Sequence, residues 1–168
     1  MSRRVLVAGI GNIFQSDDAF GVEVVGRLAG RALPPGVRVE DFGIRGVHLA
    51  YELLEGYDGL VLIDAVPMGE PPGTLALIEP EVAAVDSPGL DGAPVVDAHT
   101  MQPDAVLATL KWLGGSVASI FIIGCQPADL RDGMGLTPDV AAAVDGAAQM
   151  CCDLVLEMVA PVTKGVHP

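Results

Sequence analysis

Basic residues are scarce in this chain: nine Lys and Arg stand against 22 Asp and Glu, a formal net charge of −13. Affinity for a phosphate backbone comes largely from cations that displace counterions, so nucleic acid is not an expected partner. Cysteine is scarcer still. Cys125, Cys151 and Cys152 are odd in number and lack the spaced pairs of a structural zinc site, which favours reduced thiols in apolar surroundings. No apolar run approaches the roughly 20 residues of a membrane helix, so no membrane partner is expected. Ser2-Arg3-Arg4 leads straight into Val5-Leu6-Val7-Ala8, too short for a signal core and without a small-residue cleavage site behind it. A soluble, cytoplasmic protein is the expectation. There is no G-x-S-x-G nucleophile elbow, no H-E-x-x-H helix, no internal repeat and no linker.

What is present fits one domain over residues 1–168, with a tail from about 161 expected to be flexible. Val5 to Ile10 is a continuous apolar run ending at a glycine turn, as in a strand covered on both faces. Phe20, Val24, Leu28 and Ala32 then recur at helical spacing until Pro34-Pro35-Gly36. Val37 to Asp41 reads as a second strand. Leu49, Ala50, Leu53 and Leu54 mark a short helix, and "DGLVLIDAV" a third strand from Asp58 to Val66. A loop over Pro67 to Gly73, a strand "TLALIE" and a long Pro- and Gly-rich connection from Pro80 to Asp97 follow. Val106, Leu107, Leu110 and Leu113 predict a helix, and "VASIFIIG" a strand from Val117 to Gly124. Thr137 supplies a capping hydroxyl before Pro138, and Val140, Val144, Ala147, Cys151, Leu154 and Met158 carry a last helix with Cys151 in the core. Strands alternating with helices predict an α/β fold, a three-layer α/β/α sandwich with a mostly parallel sheet.

Chemistry concentrates where strands give way to loops. "GIGNIFQSDDAFG" carries Gly9 and Gly11, half of a dinucleotide fingerprint, and Glu40 or Asp41 can stand for its ribose-binding acid. Phe14 occupies the position of the third glycine, and Asp17 and Asp18 would repel a pyrophosphate at the same helix end, so a dinucleotide-binding oxidoreductase is a weak reading. Asn12 can hold the turn through its side chain. Asp17 is expected to cap the following helix. Ligands of such sheets lie beyond the carboxyl ends of the strands, which singles out Asp18, Asp64 and His99. Together they form a mixed oxygen and nitrogen set suited to a first-row divalent ion. Each also has an ordinary reading as a cap or loop hydrogen-bonding residue. Asp97 can orient His99. Cys125 follows a strand exit as well, with nothing near it in sequence to lower its pKa, and reads as a structural thiol.

These segments resemble the nickel-iron hydrogenase maturation endopeptidases. The likeness runs over most of the chain: "GIGNIFQSDDAFG", Asp41 with Gly43 and Gly46 in "DFGIRG", "LVLIDAV" around Asp64, His99 before a helix, and "GCQP" and "GLTPDV". The resemblance implies an endopeptidase that removes a C-terminal extension from a hydrogenase large-subunit precursor after nickel insertion. It places the family's metal-contacting residues on Asp18, Asp64 and His99, and makes Asp41 a candidate for the catalytic or substrate-binding region. It implies no resident cofactor, the nickel arriving with the substrate. The nucleophile is then expected to be water, in an aspartyl-type or metal-dependent mechanism. A monomer is expected. A nonproteolytic nickel-binding chaperone would use the same three ligands. Phe42, Ile44 and Arg45 depart from the usual second motif, which bears on substrate choice, and Asp18 stands where some relatives carry glutamate.

Overall fold

The computed structural model describes residues 3–80 and 103–160. All six residues of β1 (Val5–Ile10) are buried, as a strand covered on both faces requires. Parallel strands β2 (Val37–Gly43) and β3 (Gly59–Ala65) flank it. With β4 (Leu75–Ile78) and β5 (Ser119–Cys125) they complete a five-stranded sheet of order β2-β1-β3-β5-β4, in which β4 alone runs antiparallel. Alternation along the strands divides the core in two. Val5, Val7, Val61 and Ile63 pack with α1 (Phe20–Leu28) and α4 (Pro138–Val159). Leu6, Ala8, Ile10, Leu60 and Leu62 pack with α2 (Gly46–Leu53) and α3 (Pro103–Trp112). The expected three-layer α/β/α sandwich is what the chain forms. Each fully buried Leu or Ile contributes about 1.5–3 kcal/mol relative to exposure.

Several boundaries differ from the periodicity. Helix α1 stops at Leu28 rather than continuing to Ala32: Ala32 is exposed and has no core to cover, and Leu33 packs against the α1/α4 core in its place. Strand β5 starts two residues later than the apolar run and takes in Cys125. Thr137 is the N-cap residue of α4 but its side chain makes no capping hydrogen bond, because its hydroxyl is turned to Asp17.

Glycine decides how closely α1 approaches the sheet. A Cβ on Gly21 would lie 2.0 Å from the Ile63 carbonyl oxygen and 2.5 Å from that of Ile10, both backbone atoms that cannot swing aside. Gly21 thus performs the close helix–strand packing that the third glycine of a dinucleotide fingerprint performs. Phe14, expected to obstruct that contact, is 63% exposed and obstructs nothing.

The strands end in step. Gly9 is level with Asp41 on one side and Ile63 on the other, and Asp64 with Gly124, so the loops leaving four parallel strands gather along one edge. At the opposite edge, where the strands begin, a cavity of about 240 Å³ is lined by Arg3, Val5, Asp58 and Met158 among others; the acids singled out above are not in it.

Candidate active site

The turn leaving β1 is built to fold back on itself. Gly11 has φ +138°, and a Cβ there would sit 1.8 Å from the Asp18 carbonyl oxygen, so only glycine fits. The Asn12 side chain accepts a hydrogen bond from the Phe14 N–H at 2.9 Å, holding the turn as its residue type suggests. Its backbone N–H donates to Oδ2 of Asp18 at 2.7 Å, which brings this partly buried carboxylate back to the strand exit.

Asp64, the next-to-last residue of β3, is also partly buried. Burial raises its pKa, the charge of Asp18 raises it further, and only the Ala65 N–H opposes them, leaving the carboxyl at about 8. The charge of Asp18 is thus felt at Asp64, on the same strand-exit edge. Among the described residues no group of three or more His, Cys, Asp and Glu is placed to hold a metal ion. His99 and Asp97 lie outside the described residues, as do most of the Pro80 to Asp97 connection and the tail from 161.

Asp41 is exposed and uses its carboxylate locally, accepting the Gly43 N–H at 2.7 Å. Arg45 donates to the carbonyls of Asp41 at 2.7 Å and Phe42 at 3.3 Å, tightening the "DFGIRG" turn. That turn adjoins the first one, since the Gly11 N–H donates to the Gly43 carbonyl at 2.9 Å.

Asp17 is not a helix cap. It is fully buried, and its carboxylate accepts from the backbone N–H groups of Ala128, Asp129 and Thr137 and from the Thr137 hydroxyl, all more than a hundred positions away. Burial alone would raise its pKa, yet these donors together hold it below the usual carboxylate range. Sequence reasoning missed this role. The only available hint was the Thr137-Pro138 pair, which it assigned to a cap.

Cys125 is fully buried, and burial and then the charge of Asp17 push its thiol up to about 11; Cys151 in the α4 core is pushed up to about 12. Both stay protonated at neutral pH, as structural thiols do. Large apolar side chains meanwhile stand out on the loops of this edge: Ile13, Phe14, Leu130 and Met134, the last 73% exposed. Backbone bonds join the two loops, Gly133 N–H to the Phe14 carbonyl at 2.9 Å and Ser16 N–H to the Gly133 carbonyl at 3.0 Å.

The sheet gathers carboxylates at its strand exits, while the Cys125 thiol beside them is buried and protonated. Comparison with known proteins narrows the class. Residues 22–154 match the family of hydrogenase maturation proteases of the HycI type, and the chain belongs to that family. It is therefore a hydrolase, a peptidase. The chain is 38% identical over 164 residues to the hydrogenase expression/formation protein HupD of Rhodobacter capsulatus, covering 96% of this chain and 76% of that protein. It is 32% identical over 148 residues to the hydrogenase 2 maturation protease of Escherichia coli K12, covering 87% of each. Among solved structures, the hydrogenase maturating endopeptidase HybD from E. coli superposes with a TM-score of 0.73 at 27% identity, over 92% of this chain and 93% of that one. These findings favour the endopeptidase over the dinucleotide-binding and nonproteolytic alternatives.

Proposed function

We propose that the chain clips the C-terminal extension from a nickel-iron hydrogenase large-subunit precursor once nickel is in place, and that it recognises the nickel itself. What supports this reading is the charge of Asp18 acting on the partly buried Asp64 carboxyl at the same strand-exit edge. Two carboxylates close together in a partly dry site repel one another, and a cation brought between them relieves that repulsion. Oxygen donors of this kind suit a first-row divalent ion, and His99 would add a nitrogen. The metal is cargo of the substrate and not a resident cofactor.

In this reading Asp18, Asp64 and His99 meet the nickel region of the precursor. Asp41 keeps its turn in shape beside the Gly9–Gly11 turn, where an extended peptide segment can lie. The attacking group is water, for Cys125 and Cys151 are held protonated. A carboxylate beside it can take the proton that water releases on attack at the scissile carbonyl. The exposed Phe14 and Met134 on the joined loops fit a macromolecular substrate better than a small one. The protein works as a monomer in the cytoplasm; among the described residues no helix is long and apolar enough to cross a membrane.

The test is to incubate the protein with nickel-loaded and nickel-free precursor and weigh the products by mass spectrometry. The loaded form loses its extension and the nickel-free form does not. Equal cleavage of both would remove nickel from recognition.

A further inference from the structure

Asp17 and Asp18 are neighbours in sequence with opposite surroundings. Asp18 is partly open and takes one backbone donor, the Asn12 N–H. Asp17 is sealed. Its Oδ2 accepts from Ala128 at 2.8 Å and Asp129 at 2.9 Å, its Oδ1 accepts from the Thr137 N–H at 2.7 Å, and the Thr137 hydroxyl reaches both oxygens at 2.9 and 3.0 Å. Its own N–H donates to the Asp129 carbonyl at 3.0 Å. Every one of these partners lies between β5 and the start of α4. A buried carboxylate with this many charge-assisted hydrogen bonds has one available position.

The anchoring extends along the turn. Ser16 is tied to the same segment through its N–H to the Gly133 carbonyl and through its hydroxyl to the Arg131 carbonyl at 2.8 Å. Ser16 also has φ +52°, a conformation that a non-glycine residue holds only when its surroundings impose it. Asp18 is thus the first residue after two that are fixed to another part of the fold.

We propose that Asp17 is a positioning residue for the peptidase reaction: it locks the Asp18 turn onto the segment between β5 and α4, so that the Asp18 carboxylate stays on the Asn12 N–H at the strand exit. The inference rests on the reading of Asp18 and Asp64 as the reacting region. Asparagine cannot substitute, because whichever side its amide nitrogen faces, that nitrogen meets N–H donors where an acceptor is required.

The experiment compares the full-length wild type with Asp17→Asn and Thr137→Val in two readouts: kcat and KM for cleavage of nickel-loaded precursor, and hydrogen exchange of individual amides. In Asp17→Asn, kcat is expected to fall at least tenfold with KM changed less than threefold. The Asn12 amide, which reports the Asp18 carboxylate directly, is expected to exchange at least tenfold faster while the Leu62 and Ile123 amides in the sheet stay protected. Thr137→Val removes one donor, leaves the backbone ones, and gives the same pattern in smaller measure; it carries the test if Asp17→Asn does not fold. Wild-type kcat together with wild-type Asn12 exchange in a folded variant would overturn the proposal. Failure of the wild type itself to cleave would count against the proposed function alone, since the Asn12 readout needs no substrate.

Discussion

The two edges of the parallel sheet treat their acids differently. Where the strands begin, acids meet guanidinium groups: Arg38 pairs with Glu52 at 2.8 Å, Glu52 accepts the Tyr57 hydroxyl at 2.7 Å, and Arg4 stacks over the Tyr57 ring 4.6 Å from its centroid. Where the strands end, Asp17, Asp18 and Asp41 are met by backbone N–H groups and one hydroxyl, and Asp64 faces the charge of Asp18. The arginines present there are occupied: Arg131 by Asp129, and Arg45 by two carbonyls. The beginning of the sheet is electrostatically closed. Among the described residues its end carries negative charge that no arginine neutralises.

Removing the charges at the end of the sheet has the largest expected effect on function. Asp18→Asn, Asp64→Asn and His99→Ala should each reduce precursor cleavage at least a hundredfold, about 2.7 kcal/mol of transition-state stabilisation, while each variant still folds. Full activity in any one of them takes that residue out of the site.

The same edge depends on close backbone approach, so Gly21→Ala should destabilise the fold by about 3 kcal/mol or more, read as a lower denaturant midpoint. A midpoint near wild type would mean that α1 can move off β1 and β3 without cost. Next in size is the pH dependence. The folded pKa of Asp64 is raised to about 8, so its contribution favours the fold at acid pH and is lost as pH climbs from the ordinary carboxylate range toward 8. Asp64→Asn should remove that loss and stabilise the protein above pH 8 by on the order of 1–3 kcal/mol. Asp17 has the opposite sign. Its folded pKa is lowered, so its contribution is present above the ordinary carboxylate range and disappears as pH falls through the depressed value. Smallest is Arg38→Ala at the other edge. It breaks an ion pair whose arginine side chain is 54% exposed, and should cost at most about 1 kcal/mol with cleavage unchanged.

The contrast between the edges was only partly legible in the sequence. Among the described residues, apolar runs and helical spacing located the five strands and the four α-helices, because those signals are local, but not the 3-10 turn over Ser16–Ala19; strand exits pointed to Asp18 and Asp64 through the general geometry of parallel sheets. Local signals failed where a long-range partner decided the outcome. Asp17 looks like a cap beside a helix start, and Thr137 looks like another, yet they bond to each other across 120 positions. Gly21 looks like an ordinary helical glycine until the Ile63 and Ile10 carbonyls are seen against it. Ala32 continues the α1 period on paper but finds no core.

The central claim is that, at the strand-exit edge, the charge of Asp18 acts on the partly buried Asp64 carboxyl. It is tested most directly by following the side-chain carboxyl carbon of Asp64 by NMR through a pH titration, in the wild type and in Asp18→Asn. The account predicts titration near 8 in the wild type and a clear drop in the variant, short of the ordinary value because burial remains. An Asp64 that titrates in the ordinary carboxylate range in the wild type, or one unmoved by Asp18→Asn, would contradict it.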